Sequence, residues 1–365
     1  MDRIEKKKRV LVAMSGGVDS SVAAALLKEQ GYDVIGVTMQ VWDYSANQCS
    51  IEEGNGTCCS SIDVEDARSV ADHLEIPFYV LNCEEPFKEK VIDNFVENYL
   101  KGQTPVPCVH CNTYLKFDYL YDKMKELDCD YLATGHYAQT LKTEGGKTQI
   151  VSSYDDWKDQ TFFLFTLRQE ILDRLLFPVG DWKKPELRLY AEEKGLPVAA
   201  KKDSTGICFI GKNDYGPFVE QRAKPEDLKP GQLKLYPDGE ILGDHQGIHR
   251  FTYGQRKGLG VSYKYPLYVI KIDAQSGDVW LGEEQHLYGK TMTVKDINWL
   301  DQPGDEKLTV KIRFAHSGAL AHLKAKAINE CEVEFDEPQR AITPGQAAVF
   351  YRGNQLVGGG WICQR

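Results

Sequence analysis

The 365-residue sequence contains no run of about 18 apolar residues, which excludes an ordinary membrane-spanning helix. Its first residues, MDRIEKKKRV, are charged and lack the apolar segment of a secretory signal. Both absences lead to the expectation of a cytoplasmic protein in a reducing setting, with no membrane partner. The ten cysteines are then better read as thiols, ligands or catalytic groups than as a disulfide framework. An excess of positive charge is also missing: the net charge is −10, which argues at first against a polyanionic partner. Its distribution narrows that argument. Residues 1–200 hold 22 Lys and Arg against 33 Asp and Glu, residues 201–257 hold 10 against 8, and residues 258–365 hold 12 against 13. The acid excess is confined to the first 200 residues, so a local basic surface that meets a polyanion stays open. Repeats and low-complexity segments are absent as well, and the length suggests two or three domains.

What is present alternates. RVLVAM (9–14), DVIGVTMQV (33–41), PFYVLNC (77–83) and DYLATGHYAQ (130–139) read as strands. SSVAAALLKEQ (20–30), SSIDVEDARSVADHLEI (60–76), PFKEKVIDNFVENYLKG (86–102), KFDYLYDKMKEL (116–127) and KPELRLYAEEKGL (184–196) read as helices. This order predicts an α/β doubly wound parallel sheet. After about residue 210 the texture changes to alternating stretches with tight turns such as QSGD and RGNQ, which predicts antiparallel strands and a small C-terminal β-barrel or sandwich.

AMSGGVDSS (13–21) follows a strand and opens a helix. Glycines there let the backbone approach an anion, the helix start offers N–H groups, and Ser15, Ser20 and Ser21 add hydroxyls. Asp19 would hold Mg²⁺ rather than touch phosphate. A Walker A loop is absent: GGKT (145–148) and GKT (289–291) lack the earlier glycine at the right spacing. The S-G-G-x-D-S form resembles the pyrophosphate (PP) loop of the ATP pyrophosphatases, which adenylate a substrate.

TPVPCVHCN (104–112) carries a C-x-x-C that suits a metal site, a dithiol couple or a nucleophile. Two prolines and the absence of a helical period predict a mobile loop at 103–115, with its reactive groups off any regular element. Cys83, Cys129, Cys331 and Cys363 read as small buried hydrophobes in strand patterns. Cys49, Cys58 and Cys59 have irregular spacing for a zinc site, and the charged flank KKKR (6–9) reads as solvated.

Further stretches narrow the family. ATGHYAQ (133–139), DWKDQTFFL (156–164), KKDSTGICFIG (201–211), GQRKGLG (254–260) and EPQRAITPGQAAVFY (337–351) resemble tRNA-specific 2-thiouridylases over nearly the whole chain. The resemblance implies a PP-loop ATP pyrophosphatase domain (1–211), a small central tRNA-binding domain (212–283) and a C-terminal antiparallel β-barrel (284–365). It implies ATP-dependent 2-thiolation of the wobble uridine in a tRNA anticodon loop, with sulfur delivered as a persulfide by a donor or carrier protein. By position it assigns ATP binding to Ala13, Met14, Ser15, Gly16, Gly17, Val18, Asp19, Ser20, Met39 and Gly135. Cys111 becomes the nucleophile and Cys208 the persulfide carrier. Val106, Pro107, Cys108, His136, Lys158, Asp159, Gln160, Arg313, Phe314 and Gln346 become tRNA contacts. One departure stands out: Cys108 occupies a position where the family commonly has aspartate. Cys108, Cys111 and Cys208 together offer three ligands for a [4Fe–4S] cluster, so persulfide relay and cluster chemistry both stay open. A different adenylating ligase and a non-enzymatic RNA-binding module are the competing classes.

Overall fold

The computed structural model describes residues 7–42, 61–203, 206–210 and 214–364. Cys49, Cys58 and Cys59 lie outside the described residues, as do Lys6 of the basic flank and Ser204, Thr205 and Gly211 of KKDSTGICFIG. The chain divides into two compact units. The first comprises Met1–Lys90, Cys108–Asn213 and Asn354–Leu356; the second comprises Val91–Pro107, Asp214–Gly353 and Val357–Arg365.

In the first unit the chain runs through β1 (Arg9–Ala13), α1 (Val18–Glu29), β2 (Asp33–Gln40), α2 (Ser61–His73), β3 (Phe78–Asn82) and α3 (Glu84–Phe87). A π-helical turn (Lys88–Ile92) follows, then α4 (Asp93–Leu100), which belongs to the second unit. The first unit resumes with α5 (Pro107–His110), a π-helical stretch (Cys111–Tyr119), α6 (Leu120–Glu126) and β4 (Tyr131–Thr134). It continues with β5 (Gln139–Lys142), β6 (Thr148–Val151), α7 (Gln169–Leu172), β7 (Leu175–Leu176) and α8 (Lys184–Glu193). The parallel sheet has the order β3-β2-β1-β4-β7. β1 and β2 are near-continuous apolar runs because helices cover both of their faces: Val10, Leu11, Val12, Val34 and Val37 are all buried. Strand order reverses between β1 and β4. In such sheets ligands bind beyond the carboxyl ends of the strands at that switch.

Two readings of the sequence change here. Residues 107–119 form no loop but the start of a helical run that reaches Glu126. Pro107 sits in the first helical position, where its missing N–H costs nothing and its fixed φ suits the helix. The predicted strand over 130–139 ends at Thr134; Gln139–Lys142 turns away to pair antiparallel with β6.

In the second unit α9 (Tyr215–Glu220) precedes β8 (Gly231–Leu235), β9 (Ile241–His245), β10 (Tyr268–Ile272) and β11 (Val279–Gly282), which form a four-stranded sheet. Tyr99 of α4 stacks on Tyr215 with ring centroids 4.2 Å apart. Beyond it, β12 (Tyr288–Trp299), β13 (Leu308–Lys311), β14 (Ala319–Ala327), β15 (Glu330–Arg340), β16 (Ala347–Arg352) and β17 (Gln355–Gln364) run in the order β12-β15-β14-β13-β16-β17. Pairing of β12 with β17 closes this sheet into a six-stranded antiparallel barrel, filled by Val294, Val310, Val333, Phe335 and Phe350. β12 and β14 were not legible in the sequence, because β14 carries Lys and His on its exposed side and little apolar alternation.

Candidate active site

The loop between β1 and α1 lies at the sheet's switch point. Met14 donates its N–H to Val37 O (2.8 Å), and Ser15 donates its N–H to Ser20 Oγ (3.1 Å). Ser20 and Ser21 donate their hydroxyls to Gly17 O at 3.2 and 2.9 Å, which folds the loop over the start of α1. Gly17 caps α1 with no side chain, so the first amides of the helix point out of its end. Neighbouring backbone crowds this turn. A Cβ on Gly16 (φ +69°) would lie 2.2 Å from Asp63 O, and one on Gly135 would lie 2.6 Å from Ser20 N. Glycine at 135 is therefore what lets the end of β4 reach the start of α1. Met39 is buried on β2 in register with Leu81.

A chain of charges borders the loop. Lys184, the first residue of α8, bonds both carboxylate oxygens of Asp19 (2.7 and 2.9 Å) and reaches Asp203 at 2.9 Å. Tyr137 donates its hydroxyl to Asp19 Oδ1 (3.0 Å). Asp203 also takes Arg188 (2.6 Å) and Lys158 (2.7 Å). Burial works to raise the Asp203 carboxyl, but the bonds from Lys158 and Lys184 prevail and hold it at about 2. The Lys184 side chain is only 9% exposed, so its ammonium depends on these carboxylates for solvation.

Cys83 precedes α3, and Cys108 and Cys111 lie on the helical run. Cys108 is exposed on α5, and Cys111 is half-buried where the π-helical stretch begins. That stretch is tied down by Thr113, whose hydroxyl donates to Val109 O (2.8 Å) and lies 2.6 Å from Thr166 Oγ1. It also touches α3. Cys208 is half-buried, and its neighbour Phe209 packs edge-on against Phe87 of α3 at 5.6 Å. The segments bearing Cys111 and Cys208, 97 residues apart in sequence, thus both pack on α3. Cys83 heads α3, and burial, then the charge of Cys111, pushes its thiol up to about 12. Burial lowers His110 to about 4, so at neutral pH its imidazole brings no positive charge to Cys111.

Other assigned positions turn inward. His136 is buried beside Phe117 and Phe177, its Nδ1 lies 2.8 Å from Thr134 Oγ1, and burial, then Lys116, drives its pKa well down. Asp159 is buried and accepts bonds from Ser153 N and Thr161 Oγ1. Gln160 Oε1 accepts the Tyr137 N–H at 3.0 Å. In the second unit Val106 and Pro107 are buried. Phe314 is half-exposed; Arg313 donates to Arg340 O at 3.1 Å, and burial, then Arg340, lowers its pKa. Gln346 donates its side-chain amide to Thr104 O at 3.0 Å.

Family models match the chain in three blocks. They are a tRNA methyl transferase HUP domain (residues 8–212), a tRNA methyl transferase PRC-barrel domain (217–283) and an aminomethyltransferase β-barrel domain (289–362). The tRNA-specific 2-thiouridylase MnmA of Geotalea uraniireducens is 47% identical over 364 residues, covering 99% of this chain and 96% of that protein. The tRNA-specific 2-thiouridylase MnmA of Carboxydothermus hydrogenoformans is 47% identical over 369 residues, covering all of both chains. The chain belongs to the tRNA-specific 2-thiouridylase family. It is thus one of a family of tRNA sulfurtransferases.

Sequence reading of this thiouridylase overlooked three features. Lys184 looked like an ordinary helix-start lysine; only the fold brings it to Asp19. Arg188, one helical turn on, points the same way. Trp157 drew notice only as part of DWKDQTFFL, yet it is 95% exposed, which is rare for tryptophan. A tryptophan set among the charged residues of DWKDQ was the available signal. Among the described residues of the thiouridylase, no group of three or more His, Cys, Asp or Glu side chains stands close enough to hold a metal ion. Cys108, Cys111 and Cys208 do not form such a group.

Proposed function

We propose that this thiouridylase carries out ATP-dependent 2-thiolation of a wobble uridine in tRNA, with sulfur passing through Cys208 and Cys111. The observation that carries the reading is the packing of both cysteine segments on α3 in the same compact unit as the 13–20 loop. ATP binds with its phosphates on the loop amides and its base toward Met39. Asp19 supplies a carboxylate for Mg²⁺, which would offset charge on the departing pyrophosphate once Lys184 transfers to the phosphates. The uridine C2 oxygen attacks the α-phosphorus and pyrophosphate leaves, converting a poor leaving group into AMP.

Sulfur transfer then balances as follows. The terminal sulfur of a Cys208 persulfide attacks C2, and AMP departs with the former carbonyl oxygen. The Cys111 thiolate attacks the Cys208 sulfur, which frees the thiouridine and leaves a Cys111–Cys208 disulfide. A dithiol reductant reopens it, and a persulfide donor reloads Cys208. Lys158 and Trp157 supply an ammonium and a flat apolar face for an unstacked anticodon loop. Methyl transfer, which the family-model descriptions mention, requires no cysteine pair and leaves Cys111 and Cys208 without a task.

The test is reconstitution with unmodified tRNA, ATP and a persulfide donor, read by mass spectrometry of the nucleosides. The proposal expects 2-thiouridine, and its loss in both Cys111→Ser and Cys208→Ser. Full thiolation by either variant sinks the relay; no thiolation by the native chain sinks the function.

A further inference from the structure

Arg188 closes a clasp on the stretch of chain that leads to Cys208. Its half-buried guanidinium donates from Nη1 to Ala199 O (3.0 Å) and Lys201 O (2.8 Å), and from Nη2 to Asp203 Oδ1 (2.6 Å). These acceptors sit at alternate residues of a strap, 199–203, that follows α8 without entering a strand or helix. Such a segment has no ladder to satisfy its carbonyls, so they depend on side chains. A planar fork with donors in fixed directions reaches three acceptors at once, which a point-like ammonium does not. Lys201 ties the same strap to α2: its ammonium reaches Asp63 (2.6 Å) and Asp66 (2.5 Å), and Asp63 O is the atom that a Cβ on Gly16 would meet at 2.2 Å. Asp203 holds Lys158 (2.7 Å) and Lys184 (2.9 Å) as well. Five residues beyond Asp203 comes Cys208, and its neighbour Phe209 packs on Phe87. Cys208 thus lies between two fixed points of the first unit, the clasp and the Phe87–Phe209 contact.

We infer that Arg188 is a positioning residue for the sulfur-transfer half of the reaction: it fixes the 199–203 strap, and with it the point from which the Cys208 segment starts, and takes no part in adenylation. Lys184, one turn earlier on the same helix, is the cation bonded to Asp19, and it keeps both of its carboxylates when Arg188 is lost. Substitution at 188 therefore separates the two steps. The inference rests on the thiouridylase reading for its catalytic consequence and on the bonds of the clasp for its structural one. A reacting group displaced by about 1 Å costs on the order of 100-fold in rate. A weakened fold would instead depress both half-reactions together.

The experiment follows a single turnover of enzyme loaded by a persulfide donor, with ATP and unmodified tRNA, in the native chain, Arg188→Met and Arg188→Lys. Arg188→Met removes all three bonds; Arg188→Lys is the milder change, keeping a cation beside Asp203 without the fork. Melting curves establish that each variant is folded. Expected for both are pyrophosphate release within about threefold of native and 2-thiouridine formation slowed about 100-fold, with adenylated tRNA accumulating. Hydrogen exchange should quicken at the Ala199 and Lys201 amides, which bond Leu196 O (3.0 Å) and Val198 O (2.9 Å). Thiolation at the native rate in Arg188→Met, or pyrophosphate release and thiolation falling by the same factor in folded Arg188→Lys, overturns the inference. The exchange arm keeps the two readings apart: if the native chain fails to thiolate tRNA, the thiouridylase reading falls, while unchanged exchange at Ala199 and Lys201 in both variants sinks the clasp itself.

Discussion

Lys184 Nζ lies 2.7 and 2.9 Å from the two carboxylate oxygens of Asp19, a contact made across 165 residues of chain. It places a resident cation on the aspartate of the SGGVDS loop. In the proposed cycle that ammonium is the group that exchanges a carboxylate for a phosphate.

Lys184→Met should remove that cation, leaving Asp19 with the Tyr137 hydroxyl and Asp203 with Arg188 and Lys158. Both carboxylates are about a third exposed, so the cost should be about 2 kcal/mol, below that of breaking a fully buried pair. Denaturant titration checks the stability, and pyrophosphate release in the presence of tRNA should fall to background. Retained pyrophosphate release would remove Lys184 from the nucleotide site.

The acid limb of stability follows from Asp203. Its folded pKa, about 2, lies below the ordinary 3.8, so its stabilisation is present above about pH 4 and is lost as pH falls toward 2. Asp203→Asn should flatten the stability curve in that window by about 2 kcal/mol. His110 acts in the same direction at higher pH, since burial lowers it to about 4 from 6.5. Urea unfolding at stepped pH separates the two windows. An unchanged acid limb in the Asp203 variant would contradict the bonding scheme.

Iron should be dispensable. Enzyme prepared without iron or sulfide is expected to thiolate tRNA at the full rate, and Cys108→Ser should retain most of it. Activity rising in proportion to bound iron, with visible absorption to match, would reinstate a cluster on Cys108, Cys111 and Cys208.

Trp157 should report tRNA directly. Stacking of one base is worth about 1–3 kcal/mol, so Trp157→Ala should weaken tRNA binding about tenfold while Trp157→Phe keeps most of it. Native fluorescence should quench on tRNA addition, and that change should vanish in Trp157→Phe. Equal affinity in all three proteins would leave Trp157 with no role in binding.

The parallel sheet was legible because buried strands and amphipathic helices write their periods locally. RVLVAM, DVIGVTMQV and PFYVLNC appear as strands within a residue or two of their predicted ends. Cys83, Cys129 and Cys331 are buried, as their strand-edge contexts suggested. The helical state of 107–119 was hidden because a proline at the first helical position looks, in sequence, like a proline that breaks one. β12 and β14 were hidden because barrel strands with a solvated face hold mixed, weakly alternating residues.

By itself the sequence determined the order β1-α1-β2-α2-β3 of the parallel sheet, the glycine loop that opens α1, and the presence of two cysteines suited to relay. Those properties depend on neighbours a few residues apart. Only the tertiary structure decided that Lys184 faces Asp19, that Asp203 collects three cations, that Phe209 carries Cys208 to α3, and that Gln346 holds Thr104. Each of these joins residues 45 to more than 240 positions apart, except the links from Lys184 and Arg188 to Asp203, and chain topology, not local propensity, sets which distant groups meet.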